Sequence, residues 1–305
     1  MEIGKIGMNE ISKILKRNRD TMLKSNVLGS DFSFLRHGPV DLVFKIEPMV
    51  FYKTLSVQDN GLLSVVFSIN DFVTSGTWPS ISMIDFEKPA SSGNDFFEYI
   101  NSVFRYLKER RVQVASGHTG SYGNLGYGVA GTMALLGFKR QLFSFKRIRN
   151  DDSFYVLGNL GKELSFFRRP RVKNSYKAID LSIEKYIKEL LKIKEIVHYA
   201  HDISEGGLVR ALKEISALTH FGFNVKSREL NAIAARGVEE YGSRIFSSSS
   251  SGSLVVSVYS RRKEEFEELI KRNSWPFLEI ERRGKRVTLD NRAYNLKDSV
   301  LEFLS

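Results

Sequence analysis

The chain has 305 residues, is 42% hydrophobic, carries a formal net charge of +11 and contains no cysteine. That length allows about two domains of ordinary size, and the lack of cysteine excludes disulfides, thiolate nucleophiles and cysteine-ligated metals. No apolar run approaches the roughly 20 residues of a membrane span, and Met1-Glu-Ile-Gly-Lys5 lacks a signal-peptide pattern, so a cytoplasmic protein is expected.

Residues 8–23 place Met8, Ile11, Leu15 and Met22 on a basic background and read as a helix with a modest apolar face. Asp41–Glu47 is strand-like and stops at Pro48. Leu62, Val65, Val66, Ile69, Phe72 and Val73 form a helical stripe, with Gly76 at a C-cap position and Pro79 beyond it. Asn70 and Asp71 lie inside that stripe. A polar pair on the rim of a buried helix must find partners, so it points to a cleft, or else faces solvent. Ser80–Phe86 alternates like a strand, Phe96–Leu107 has helical spacing, and Val112–Ser116 is a strand by composition. The last runs into Gly117–Gly128, a segment with five glycines. Read as a loop, it brings backbone N–H groups near phosphates, or is a surface turn; it is no Walker loop, because no Gly-Lys-Ser/Thr follows. His118 reads as a hydrogen-bonding or substrate group, since no second histidine stands at ligand spacing.

Val129–Phe138 and Gln141–Phe145 read as strands, and a domain boundary is expected near residue 150. Tyr176, Ile179, Ile183, Ile187, Leu190 and Leu191 predict a long helix over 175–193. Ile196–Ala200 then reads as a short buried strand, and Leu208, Ala211, Leu212 and Ile215 as an amphipathic helix. Between them stand His201, Asp202, Ser204, Glu205 and the pair Gly206-Gly207. Paired glycines suggest a tight turn or a close approach to a ligand. Free N–H groups at the helix start, together with carboxylates, suit a hard cation that phosphates also bind. The same residues also suit a plain strand–turn–helix, with Ser204 as N-cap and Asp202 in the turn. Downstream, Phe223–Val225 is strand-like, Ser247–Ser251 reads as a flexible run, and Arg261–Arg272 as a solvated helix. Phe277–Glu281, Arg286–Leu289 and Leu296–Leu304 read as strand, strand and helix.

His201-Asp-Ile-Ser-Glu-Gly-Gly-Leu208 resembles the "hDvSdGGL" segment of the aminoimidazole-ribonucleotide synthetase (PurM-like) superfamily. Its branches include formylglycinamidine-ribonucleotide synthetase, selenophosphate synthetase, thiamine-monophosphate kinase and HypE-type proteins. Further matches follow in the superfamily's order. Gly29-Ser-Asp31 and Glu47 are similar to "GdDaa" and the acidic strand end after it. Ser68–Pro79 resembles "aVNDlaamGarP", with Asn70, Asp71, Gly76 and Pro79 in step. Val114–Thr119 is similar to "vvGGhT", with Ser116 in place of the first glycine. Asn150–Gly158 resembles "GDxillvG", with Asp151 in place of its glycine. Phe246 and Gly252–Val258 keep the frame of "FsExpgrllvtV", but its glutamate is replaced within Ser247–Ser251.

The resemblance implies an α+β, two-domain PurM-like fold. Residues 1–150 would form an N-terminal α+β domain whose sheet is completed by dimerisation, and 151–305 a C-terminal α/β domain. It implies ATP and Mg as cofactors, with Asp71 and Asp202 as metal ligands and Asp31 and Glu205 as further candidates. Asn70, Asp71, Gly117, His118, Thr119 and Gly206 would face the nucleotide. No catalytic residue is assigned, because phosphoryl transfer rests mainly on positioning and charge neutralisation. The expected function is ATP/Mg-dependent phosphorylation of an oxygen of an anionic small molecule by a homodimer. The alternative is a non-catalytic, nucleotide-binding dimer that acts as a sensor or assembly partner. The basic clusters, among them Lys146/Arg147/Arg149 and Arg282/Arg283/Lys285/Arg286, come without a nucleic-acid reader motif and fit a field that attracts anionic substrates. The branch stays open. The C-terminal cysteine of HypE-type carriers and the N-terminal cysteine and lysine of selenophosphate synthetase are missing, the aspartates are sparser than in thiamine-monophosphate kinase, and the purine enzymes' glycine-rich N-terminal segments have no counterpart.

Overall fold

A computed structural model describes residues 8–90, 92–122, 128–139, 142–168 and 176–294. The chain divides into a unit Phe32–Leu142 and a unit made of Met1–Asp31 with Phe143–Ser305. The division falls at Leu142/Phe143 rather than near residue 150, and the stretch up to Asp31 groups with the later residues. Local hydrogen bonds account for both differences: Ser144 N–H donates to His198 O at 2.9 Å, and Asp202 N–H donates to Asp31 at 3.2 Å. Helix α1 (Met8–Arg17) stops short of the expected 8–23. The Arg19 guanidinium instead donates to the carbonyls of Lys24 and Asn26, at 2.9 and 2.6 Å, and ties the following turn.

The unit Phe32–Leu142 holds β1 (Ser33–His37), β2 (Val40–Phe51), α2 (Val57–Val73), β3 (Ile81–Pro89), α3 (Asp95–Glu109), β4 (Gln113–Tyr122) and β5 (Gly128–Lys139). Its sheet runs β1-β2-β5-β3-β4, antiparallel except for the parallel β3/β4 pair that α3 connects. Ser56 starts α2 by accepting Asp59 N–H, a cap worth about 1 kcal/mol. α2 packs on β2 and α3, over the buried rings of Phe51, Phe96 and Tyr99. The glycine-rich segment starts as strand, not loop: β4 stays paired to β3 as far as Tyr122. Residues 123–127 of that segment lie outside the described residues.

The other unit holds β6 (Asp152–Leu157), α4 (Lys162–Phe167), α5 (Glu184–Leu190), β7 (Val197–Asp202), α6 (Gly207–Thr219), β8 (Phe223–Val225), α7 (Ser227–Ala232), β9 (Leu254–Tyr259), α8 (Lys263–Arg272), β10 (Phe277–Arg282) and β11 (Val287–Leu289). They form a sheet in the order β11-β8-β10-β6-β9-β7. Three buried side chains tie β6, β9 and β7 together: Asp152 accepts from Ser257 Oγ at 2.5 Å and pairs with His198 Nδ1 at 2.8 Å. The single helix expected over 175–193 is broken in its described part. A 3-10 turn (Ala178–Leu181) precedes α5, because Ser182 Oγ takes Glu184 N–H at 3.2 Å and restarts the helix there. Leu142–Ser144 form no strand and Phe145–Arg147 is a 3-10 turn. The helix expected at 296–304 lies outside the described residues.

Ser247–Ser251, expected to be flexible, is buried. A buried serine must be hydrogen-bonded, and here the partners are specific. Ser250 Oγ accepts Gly161 N–H at 2.7 Å, while Ser250 N–H donates to Ile203 O at 3.1 Å. Ser251 donates its Oγ and its N–H to Glu163 Oε2 at 2.8 and 3.3 Å. Next to this segment, buried Lys162 donates to Gly252 O at 2.5 Å. Burial pushes its ammonium down to about 7, and Lys185 adds repulsion. The segment's backbone also explains the glycine pair. A Cβ on Gly207 would lie 2.6 Å from Ser248 O, and Gly207 has φ +60°. The close approach inferred from Gly206-Gly207 is therefore met by protein backbone.

Two outcomes follow from this packing. G207A combines a left-handed backbone cost of about 1–2 kcal/mol with the clash, so it should destabilise clearly more than G284A. Gly284 has φ +66° but, among the described residues, nothing within 4 Å of an added Cβ; equal denaturation midpoints for the two variants would contradict this account. Lys162 has its folded pKa lowered from 10.5 to about 7. Between those values the unfolded chain binds the proton and the folded chain does not, so stability rises with pH across that window. K162M should remove a rise on the order of a few kcal/mol, read by urea denaturation at several pH values.

Candidate metal and nucleotide site

β7 is buried along its length and ends at His201 and Asp202, held against Val255 and Leu254 of β9. Asp31 reaches the same point from the other end of the sequence. Gly29 has φ +87°, and a Cβ there would stand 2.9 Å from Glu214 O of α6, so the Gly29-Ser-Asp31 turn lies directly on that helix. Asp31 Oδ2 accepts the Asp202 N–H. Asp31, His201 and Asp202 each offer a ligand-type atom, all within 4.8 Å of one another, and all three residues are buried.

The histidine is built as a cation. Its Nδ1 lies 2.7 Å from Asp202 O, and a carbonyl only accepts, so Nδ1 carries a proton. Nε2 lies 3.3 Å from Asp31 Oδ1 and 3.4 Å from Glu214 Oε2. Burial opposes the charge, but Asp31, Glu214 and Asp202 outweigh it and raise the imidazole to about 10. Arg210 Nε holds the other Glu214 oxygen at 3.0 Å. Two cationic groups thus face three carboxylates. The donor set fits one further hard cation on the oxygens of Asp31 and Asp202, whereas a protonated His201 cannot ligate metal. Buried Tyr199, whose hydroxyl finds no hydrogen-bond partner among the described residues, stacks edge-on to the His201 ring at 6.1 Å; its pKa is raised by burial and by the same three carboxylates. Gly206 occupies the N-cap of α6 with a left-handed backbone and no side-chain cap. Ser204 is thus not the N-cap. Glu205 is half-buried beside it.

In the unit Phe32–Leu142, Asn70 and Asp71 are buried on α2. Asp71 Oδ2 forms a close ion pair with Lys45 Nζ, which also stands 2.6 Å from Glu47 Oε1. Burial, and then Asp71, push the Glu47 carboxyl up to about 8, with Lys45 pulling the other way. An ammonium already sits where Asp71 and Glu47 converge, so this pair does not fit the divalent ion expected at Asp71. Gly117, His118 and Thr119 lie on β4, an edge strand, opposite Ile84, Asp85 and Phe86. A Cβ at Gly117 would come 2.6 Å from Ile84 O, so close strand pairing requires glycine there. His118 and Thr119 are exposed.

Sequence reasoning missed Glu214, Lys45 and Glu163. Arg210 and Glu214 do stand at i,i+4 on a predicted helix, a visible pairing signal, and Lys45 and Glu47 share a strand face by alternation. Nothing local pointed to Glu163.

Residues 166–280 match the family model of the AIR synthase related protein, C-terminal domain. Thiamine-monophosphate kinase of Buchnera aphidicola is 24% identical over 237 residues, 72% of this chain and 72% of that protein. Among solved structures, AaThiL complexed with AMPPCP and TMP aligns with a TM-score of 0.72 at 16% identity, covering 97% of this chain and 98% of that one. The E. coli hydrogenase maturation protein HypE aligns with a TM-score of 0.70 at 18% identity, covering 84% and 86%. The α+β architecture with its two sheets is the fold of these neighbours. Motifs, family model and fold thus agree in their resemblance to the AIR synthase-related, PurM-like superfamily.

Proposed function

We propose that the chain is an ATP- and Mg-dependent, kinase-like protein that activates an oxygen of an anionic small molecule. The observation that carries this reading is the meeting of Asp31 with Asp202, residues from two separate motifs, around the His201 cation. Asp31 and Asp202 would hold the metal, which when bound neutralises phosphate charge. His201 holds Asp31 and Glu214 in place by charge and keeps the cluster from repelling itself. Asn70, Gly117, His118, Thr119 and Gly206 stand as nucleotide-facing positions from their motifs, with Glu205 as a further carboxylate. The thiamine-monophosphate kinase relative and the AMPPCP- and TMP-bound neighbour support a phosphoryl-transfer class. The non-catalytic sensor remains a second reading, favoured by the loss of the serine segment's glutamate and by Lys45 on Asp71.

Calorimetric titration with Mg-ATP tests the first reading. A charge-assisted contact contributes roughly 1.5–3 kcal/mol, so D31N and D202N should each weaken binding about tenfold or more. Wild-type protein giving no heat with millimolar Mg-ATP would refute nucleotide binding. Turnover of ATP to ADP with candidate anionic acceptors separates enzyme from sensor.

The homodimer is part of the same proposal and rests on an uncovered apolar sheet face. Leu35, Leu42 and Phe138 are consecutive cross-strand partners on one face of β1, β2 and β5, and Ile46 and Met83 flank Ala134 on that face. Ile46 is 64% and Phe138 48% exposed. A second copy of the same face is the occupant proposed, since contiguous exposed apolar surface marks an interface. Light scattering should give a dimer for the wild type and a folded monomer for I46E; a wild-type monomer at micromolar concentration would refute it.

A further inference from the structure

The geometry points to Lys45 as a resident cation that takes the place of a divalent metal at Asp71 and Glu47. Strand alternation puts Lys45 and Glu47 on the face of β2 that α2 covers, and α2 brings Asp71 to them. The three side chains are only 17%, 24% and 10% exposed, so this is no solvated surface pair. The ammonium contacts one oxygen of each carboxylate. A Mg or Mn ion on those same oxygens needs contacts of about 2.0–2.2 Å, which the nitrogen already prevents, and a second cation beside it would be repelled. Removing one member of such a buried group leaves an uncompensated charge, and that deficit is what a metal ion would fill.

The assignment holds whether or not the nucleotide reading does, because Mn2+ alone is the probe. Mn2+ is titrated into wild type, K45M, D71N, E47Q and the double variant K45M/D71N, with free ion followed by electron paramagnetic resonance. K45M is expected to take up one more Mn2+ per chain than wild type, and K45M/D71N to lose it again. D71N and E47Q alone should leave the wild-type count unchanged. An unchanged count in K45M, or a wild-type count lowered by D71N or E47Q, would overturn the assignment. Should K45M fail to fold, the comparison of wild type with D71N and E47Q decides it alone, since a metal at these oxygens must be lost in both.

Discussion

Burying charge is tolerable only when the charges answer one another, and that constraint shapes the unit containing β7. His201 is buried with its two ring nitrogens directed at different groups, a carbonyl on one side and two carboxylates on the other. An isolated imidazolium there would cost several kcal/mol. Asp31, Asp202 and Glu214 reverse the balance and keep it charged. The consequence is topological. Asp31 is joined to the end of β7 and to α6, and the Gly29 turn lies against Glu214 with no room for a side chain.

A second constraint works through the serine segment. Its hydroxyls and N–H groups bind Gly161, Ile203 and Glu163, so a stretch that would be a mobile linker in water becomes an interior strut. The strut passes so near the start of α6 that only glycine fits at position 207. Gly207 of the motif is thus a packing requirement before it is a ligand requirement. Where the family pattern has a glutamate in the chain's own strand, this protein brings a carboxylate to Ser251 from α4.

The two acidic clusters solve the same electrostatic problem in different ways. Around His201, two cationic groups face three carboxylates and one negative charge is left over, which suits an added hard cation. Around Lys45, a flexible four-carbon stem delivers a compact ammonium to both carboxyl groups, while burial and Asp71 push the Glu47 carboxyl up.

Much of the fold was legible because local spacing carries it. The stripes of α2, α3 and α6, the run of β7 and the motif carboxylates Asp71 and Asp202 could be read directly, since period and composition are short-range properties. Two of the misreadings concern partners distant in sequence. Gly117–Thr119 continue a strand because β3 pairs with them, and Ser247–Ser251 is buried because Gly161, Ile203 and Glu163 satisfy it. The break in the helix before β7 is local, since Ser182 Oγ accepts the N–H of Glu184 two residues on. The sequence by itself therefore determined the kind of fold and the order of its motifs. Only the tertiary structure decided that Asp31 meets Asp202 around a charged histidine while Asp71 meets a lysine. Electrostatic partners are chosen by distance in space, and that distance is not written in the spacing along the chain.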